Sequence, residues 1–155
     1  MTKNKITGVV CIALAAALLI VCAVLAYDLW REKDRREADI EASHSVFTSV
    51  FANFSAELWE EKDEFDVKEQ QIRLNMCFTA KGASLFASDN EVSDLLLTLQ
   101  NLSLEGNLKD LLDKETIDDI NHLSTYFVSA ERLEENRDLL QSINERLDAV
   151  LKEIE

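Results

Sequence analysis

Apolar and polar positions divide the chain into two patterns. From Ile6 to Tyr27 they do not alternate at all: the run is apolar throughout and carries no charged residue. About 20 apolar residues at about 1.5 Å per residue cover a hydrocarbon core of about 30 Å, so this stretch is long enough for a transmembrane helix. Lys3 and Lys5 precede it, and Tyr27 and Trp30 follow at the depth where amphipathic rings settle. The pattern predicts a short basic tail at 1–5, an uncleaved signal anchor at 6–27 in contact with the bilayer, and a helical domain at 28–155. The competing reading is a cleaved signal peptide, with Lys3 and Lys5 as a basic n-region and Val24-Leu25-Ala26 as the cleavage pattern. The run is longer than the h-region of about 7–15 residues that such a peptide uses, and it lacks a helix breaker near its end.

Beyond Tyr27 the apolar positions recur at helical spacing. Ile40, His44, Phe47, Phe51, Phe54 and Leu58 step alternately by four and three, the seam of a helix packed on another helix, and Val46, Val50 and Trp59 widen that stripe. Nothing stops the helix between Asp28 and about Glu64, so it continues from the anchor. A second helix is predicted over Val67–Ala87, with Ile72, Met76, Thr79, Ala83 and Phe86 on its core face beside Cys77 and Leu85. Ser88 and Glu91 form a capping box that opens a third helix through Val92, Leu95, Leu96, Leu99 and Leu102. Gly106 is placed to end it in the left-handed conformation, and Asn107 to cap a short turn.

Thr116 is read as the cap of a last helix that runs to the C-terminus, with a seam of Leu123, Phe127, Ala130, Leu133, Leu140, Ile143, Leu147, Leu151 and Ile154. Glu134–Asp138 interrupts the stripe, read as a solvated turn in preference to a hinge. Two long helices flanking two shorter ones predict an all-α fold, an antiparallel up-down-up-down bundle with coiled-coil-like seams. Pairing the first and last seams puts Leu58 opposite Leu123, Phe54 opposite Phe127, Phe51 opposite Ala130 and Phe47 opposite Leu133 or Glu134. His44 then faces Arg137, a polar layer that would specify register.

Composition agrees with helices, since the chain has no proline and glycine only at 8, 82 and 106. Charge narrows the partners. All 30 acidic residues and all but two of the 16 basic ones follow the anchor, which leaves the domain more negative than the whole chain at −14. Such a field repels phosphate backbones, so nucleic acid is excluded as a partner; solubility accounts for the acidity itself. Orientation is argued both ways. Arg31, Lys33, Arg35 and Arg36 outnumber Lys3 and Lys5, which favours a cytoplasmic domain, but they are interleaved with Asp28, Glu32, Asp34 and Glu37. An apolar run behind a basic tail is how exported chains begin, and on that ground the domain is expected to be extracytoplasmic.

Candidate chemistry is sparse. Glu41 with His44, and Asp119 with His122, each place a carboxylate and an imidazole at i and i+3, as paired-metal bundles do, but the predicted register separates the two pairs by roughly 22 Å. Cys77 has Arg73 and Lys81 one turn to either side, and Met76 and Phe78 next to it, the setting of a buried and inert thiol. Asn53 and Asn101 head glycosylation sequons, of which the first falls in the predicted core. No phosphate loop, paired-cysteine motif or nucleophile elbow is present, so neither an enzyme nor a bound cofactor is expected.

The order of features, an N-terminal anchor, a helix bearing Phe47, Phe51 and Leu58, two shorter helices, then Ile120, Leu123, Tyr126, Ala130 and Leu133 between Glu115 and Leu147, resembles the N-terminal region of bacterial spore-germination accessory proteins of the YpeB type. The Leu-Pro element of that region has no counterpart in a chain without proline, and the family's C-terminal repeats are missing. The resemblance implies a membrane-held scaffold for a cell-wall hydrolase. From the residues themselves, the expected function is a single-pass, membrane-anchored helical bundle that serves as a structural or docking module at the cell envelope, with a protein partner or a second copy. The alternative is an extracytoplasmic bundle that senses a small ligand and signals through a partner.

Overall fold

In a computed structural model, described for the backbone of residues 3–60 and 65–154 and for side chains from residue 18 onward, the protein is all-helical, with no strand among the described residues. The helices are α1 (Lys3–Trp59), α2 (Val67–Lys81), α3 (Asn90–Glu105), α4 (Leu108–Leu111), α5 (Lys114–Ser124), α6 (Ala130–Glu134) and α7 (Arg137–Ile154). The chain divides into two compact units, residues 1–39 and 40–155, with α1 contributing to both.

Unit 1 is the first part of α1. No glycine or proline lies between Gly8 and its end, and the polar stretch after Trp30 carries the i,i+4 pairs Arg36–Glu32 at 2.5 Å and Lys33–Glu37 at 3.6 Å. The large apolar side chains from Leu18 to Trp30 all stand exposed, between 54% and 71%. The first half of the predicted span, residues 6–17, falls outside the described side chains; among the described residues no helix is long and apolar enough to cross a membrane.

Unit 2 holds the core. Five of its helices begin on a side-chain cap: Asp66, Asp89, Asn107, Asp113 and Ser129 each accept a bond from a backbone N–H two or three residues on. The caps at Asp89 and Asp113 replace the predicted ones at Ser88 and Thr116, so α3 starts one residue later and α5 three residues earlier than expected; a carboxylate suits the helix dipole better than a hydroxyl. Gly106 ends α3 in an extended conformation, φ 174°, and not a left-handed one.

The helices line up through pairs of contacts whose numbers run in opposite or in equal sense. Gln71 with the Ser103 carbonyl and Gln100 with Asn75 set α2 against α3; Ser55 with Asn121 and Trp59 with Asp118 set α1 against α5. α7 instead runs alongside α3 in the same direction, with Arg137 near Asp89 at one end and Asp148 near Thr98 further on. This corrects the single last helix expected from Thr116 onward. The α-helix is interrupted by turns at 125–129 and again at 135–136, so α5 and α7 form a hairpin, closed by Arg146 on Asp119 and Glu115.

Two further expectations change. The core face of α2 is Gln70, Leu74, Cys77 and Lys81, while Ile72 and Met76 are 46% and 51% exposed. The buried polar pair is accommodated because each is hydrogen-bonded within the core, and a pattern read from apolar residues alone misses such positions. On α1, Val46 and Trp59 point outward and Val50 is half-buried.

Candidate functional site

The centre of unit 2 is an aromatic cluster contributed by three separate segments. Phe47, Phe51 and Phe54 come from one stripe of α1, Phe86 from the turn after α2, and Phe127 from the break after α5; all are at most 2% exposed. Phe127 meets Phe51 edge-on at 4.7 Å and Phe47 at 5.2 Å, with Phe86 at 5.4 Å. Such tilted and T-shaped pairs add about 0.5–1.5 kcal/mol each beyond the area they bury. Leu58, Leu123, Leu133 and Leu140 complete the buried seam, whereas Ile40, its expected first member, is 40% exposed.

The register differs from the expected one by about one turn. Phe127 packs between Phe47 and Phe51 and not on Phe54, and Ser55 is opposite Asn121. A seam of period 3.5 keeps the same residues facing its partner after a slip of three or four positions, so periodicity alone does not discriminate these registers. Arg137 accordingly does not face His44. It binds Asp89 at 2.6 Å, Glu91 at 3.1 Å and Glu134 at 2.9 Å, which joins the starts of α7 and α3 to the end of α6.

His44 has a different partner. Its Nε2 lies 3.1 Å from the carbonyl oxygen of Val128, an acceptor, so Nε2 carries the proton. The ring is T-shaped against Phe86 at 5.1 Å, and Nδ1 is buried without a hydrogen-bond partner. One turn on, Thr48 Oγ1 donates to the Phe127 carbonyl at 3.0 Å. Together these two α1 side chains hold the backbone of the α5–α6 break.

A second polar hub lies at the other end of the core. Gln70 is fully buried; its Nε2 donates to the Phe65 carbonyl at 3.0 Å and to Asn107 Oδ1 at 2.8 Å, and its Oε1 accepts from the Leu108 N–H at 3.0 Å. At the opposite end of α2, towards Phe86 and His44, Lys81, 5% exposed, donates to the Ala87 carbonyl at 3.1 Å and to Ser93 Oγ. Burial lowers its pKa from the ordinary lysine value, against the pull of Asp89 and Asp94. Neither Gln70 nor Lys81 was legible in the pattern of apolar residues.

An open cleft of about 530 Å³ is lined by Leu58, Trp59, Lys109, Leu112, Ile117 and Asp118 among others. Its polar groups are engaged within the protein: the Trp59 indole donates to Asp118 at 2.7 Å, and Lys109 donates to the Glu60 carbonyl at the end of α1, where a cation suits the helix dipole. His122 is exposed and pairs with the Tyr126 hydroxyl at 3.0 Å, on a different helix from His44. Among the described residues, no three His, Cys, Asp or Glu side chains gather closely enough to hold a metal ion. What the arrangement offers is helix packing pinned by a few buried polar latches. Comparison with protein-family models, curated proteins and solved structures finds no match.

Proposed function

We propose that the protein is a single-pass, membrane-anchored helical module whose all-α domain serves as a structural or protein-docking element at the cell envelope, with the domain on the extracytoplasmic side. The observation that carries this reading is the side-chain exposure along α1. Leu18, Leu19, Ile20, Val21, Val24, Leu25, Leu29 and Trp30 stand on all sides of one helix, more than half exposed. Water does not stabilise such a surface, whereas a bilayer covers it from every direction. The charge-free run back to Ile6 extends that surface to spanning length. What supports the docking role is that the described cleft is open and its polar groups, Trp59 with Asp118 and Lys109 with the Glu60 carbonyl, are engaged within the protein.

Protease treatment of intact cells carrying a C-terminal tag, with a lysed control, tests both parts. Tag removal from outside is the expected result. Protection until lysis places the domain in the cytoplasm and removes the orientation and the hydrolase-scaffold reading with it. Soluble tagged protein in the medium identifies residues 6–27 as a cleaved signal and overturns the anchor.

A further inference from the structure

The hairpin between α5 and α7 is made from residues that all accept a helix. From Asn107 to the C-terminus the chain contains neither glycine nor proline, and no described residue has a φ in the left-handed region. Thr125 (φ −72°, ψ −20°) and Glu135 (φ −64°, ψ −18°) already have right-handed helical angles. Ser129 is extended, φ −151° and ψ 154°, and its Oγ accepts from the Arg132 N–H at 3.3 Å to start α6. The apolar seam, moreover, runs on across the break through Leu123, Phe127, Ala130 and Leu133 to Leu140. Local sequence therefore permits one long helix, and tertiary contacts bend it: Phe127 in the aromatic cluster, the His44 and Thr48 bonds to its backbone, and the Arg137 and Arg146 ion pairs.

We infer that the 125–136 connection is a hinge through which α7 is exchanged between two copies of this chain. Straightening at Ser129 makes α5–α7 one continuous helix and withdraws α7 from α3 of its own chain. The α3 face left bare is complementary to α7 of a second copy, since the same residues meet: Leu140, Ile143 and Leu147 on the apolar side, Asn144 with the Glu91 carbonyl, and Asp148 with Thr98. No new surface has to evolve for such an exchange, which is why it is a low-cost route to a dimer. The occupant of the face is fixed by that identity, and the inference does not depend on the membrane reading.

Two substitutions separate hinge opening from other association. Ala130→Pro places proline at the first position of α6, where its missing N–H is tolerated, and it confines Ser129 to the extended region that it already occupies. Inside the opened helix the same proline lowers the open population by more than about 100-fold. Ser129→Ala removes the cap and favours the continuous helix.

The experiment uses the full chain in detergent with Cys11→Ala and Cys22→Ala, leaving the buried Cys77 in place. One preparation carries Thr98→Cys and the other Asp148→Cys; the two are unfolded, mixed, refolded together and oxidised. The inference expects a disulfide-linked heterodimer, a yield raised by Ser129→Ala, and its loss when both chains carry Ala130→Pro with helix content unchanged by circular dichroism. No heterodimer with the native hinge, or the same yield with Ala130→Pro, overturns it. If Ala130→Pro does not fold, the absence of any increase with Ser129→Ala overturns it.

Discussion

The guanidinium of Arg137 lies 2.6 Å from the carboxylate of Asp89, the residue that caps α3. One side chain thus secures a helix start twice over, because Asp89 also accepts from the Val92 N–H at 3.1 Å. Burial on its own would raise the Asp89 pKa. The Arg137 hydrogen bond, the Val92 N–H and the nearby charges of Arg137 and Lys81 outweigh it and hold the carboxyl below the usual aspartate value.

A depressed carboxyl pKa stabilises the fold at pH values above the unfolded pKa, about 3.9, and that contribution is lost as pH falls through the lower folded value. Arg137→Ala is expected to reduce stability at pH 7 by about 1–2 kcal/mol, since both partners are mostly shielded and Asp89 keeps only the Val92 N–H bond and the nearby Lys81 charge. In urea unfolding, the gap between Arg137→Ala and wild type should close as the pH falls below about 4. A gap that is constant with pH would mean that Arg137 acts only through packing.

Gln70 gives a prediction of the opposite kind, since no titration is involved. Gln70→Leu preserves the approximate volume but strips partners from the Phe65 carbonyl, Asn107 and the Leu108 N–H. The expected cost is about 1–3 kcal/mol, with hydrogen exchange accelerated first in α4 and the start of α2. Unchanged exchange at Leu108 would show that this network is dispensable.

Cys77 is 0% exposed, and burial pushes its thiol up to about 12 against the lowering pull of Arg73. A raised thiol pKa favours the folded state as pH rises no further than the unfolded value, about 8.5, and the advantage is lost above it, because the unfolded chain releases the proton first. Native protein at pH 8 should therefore leave the buried Cys77 unmodified by a thiol reagent, whereas the same chain unfolded in urea reacts there. Modification of Cys77 in the native protein at a rate close to that in the unfolded chain would contradict its burial.

Gly106 is extended, and a Cβ built on it would come no nearer than 3.6 Å to Leu111, an ordinary van der Waals contact. Gly106→Ala should raise stability by about 0.4–1 kcal/mol by restricting the unfolded chain. A loss of stability in thermal unfolding would mean that the position needs freedom that the extended conformation does not require.

What the sequence disclosed depended on whether apolar residues and buried positions coincide. In α3 they do: Val92, Leu95, Leu96, Leu99 and Leu102 are all fully buried, as their spacing predicted. In α2 they diverge, with Gln70 and Lys81 inside and Ile72 and Met76 outside, and no periodicity of apolar residues could reveal that. The α5–α7 hairpin was hidden for another reason. Its local signals were the polar interruption at Glu134–Asp138, where a turn does fall at 135–136, and Ser129, a good cap; what bends the chain at 125–129 is a set of contacts from α1, about 80 residues earlier. The α1 seam from His44 to Leu58 was legible, but its partner positions were not.

The bond from Thr48 to the Phe127 carbonyl spans 79 residues. At about 5–20 residues per second a ribosome takes roughly 4–16 s to cover that interval, and through it Phe47, Phe51 and Phe54 have emerged without the ring that finally covers them. The nascent protein therefore presents a row of bare phenylalanines for seconds after α1 is made, a recognition element for chaperones that vanishes once Phe127 arrives.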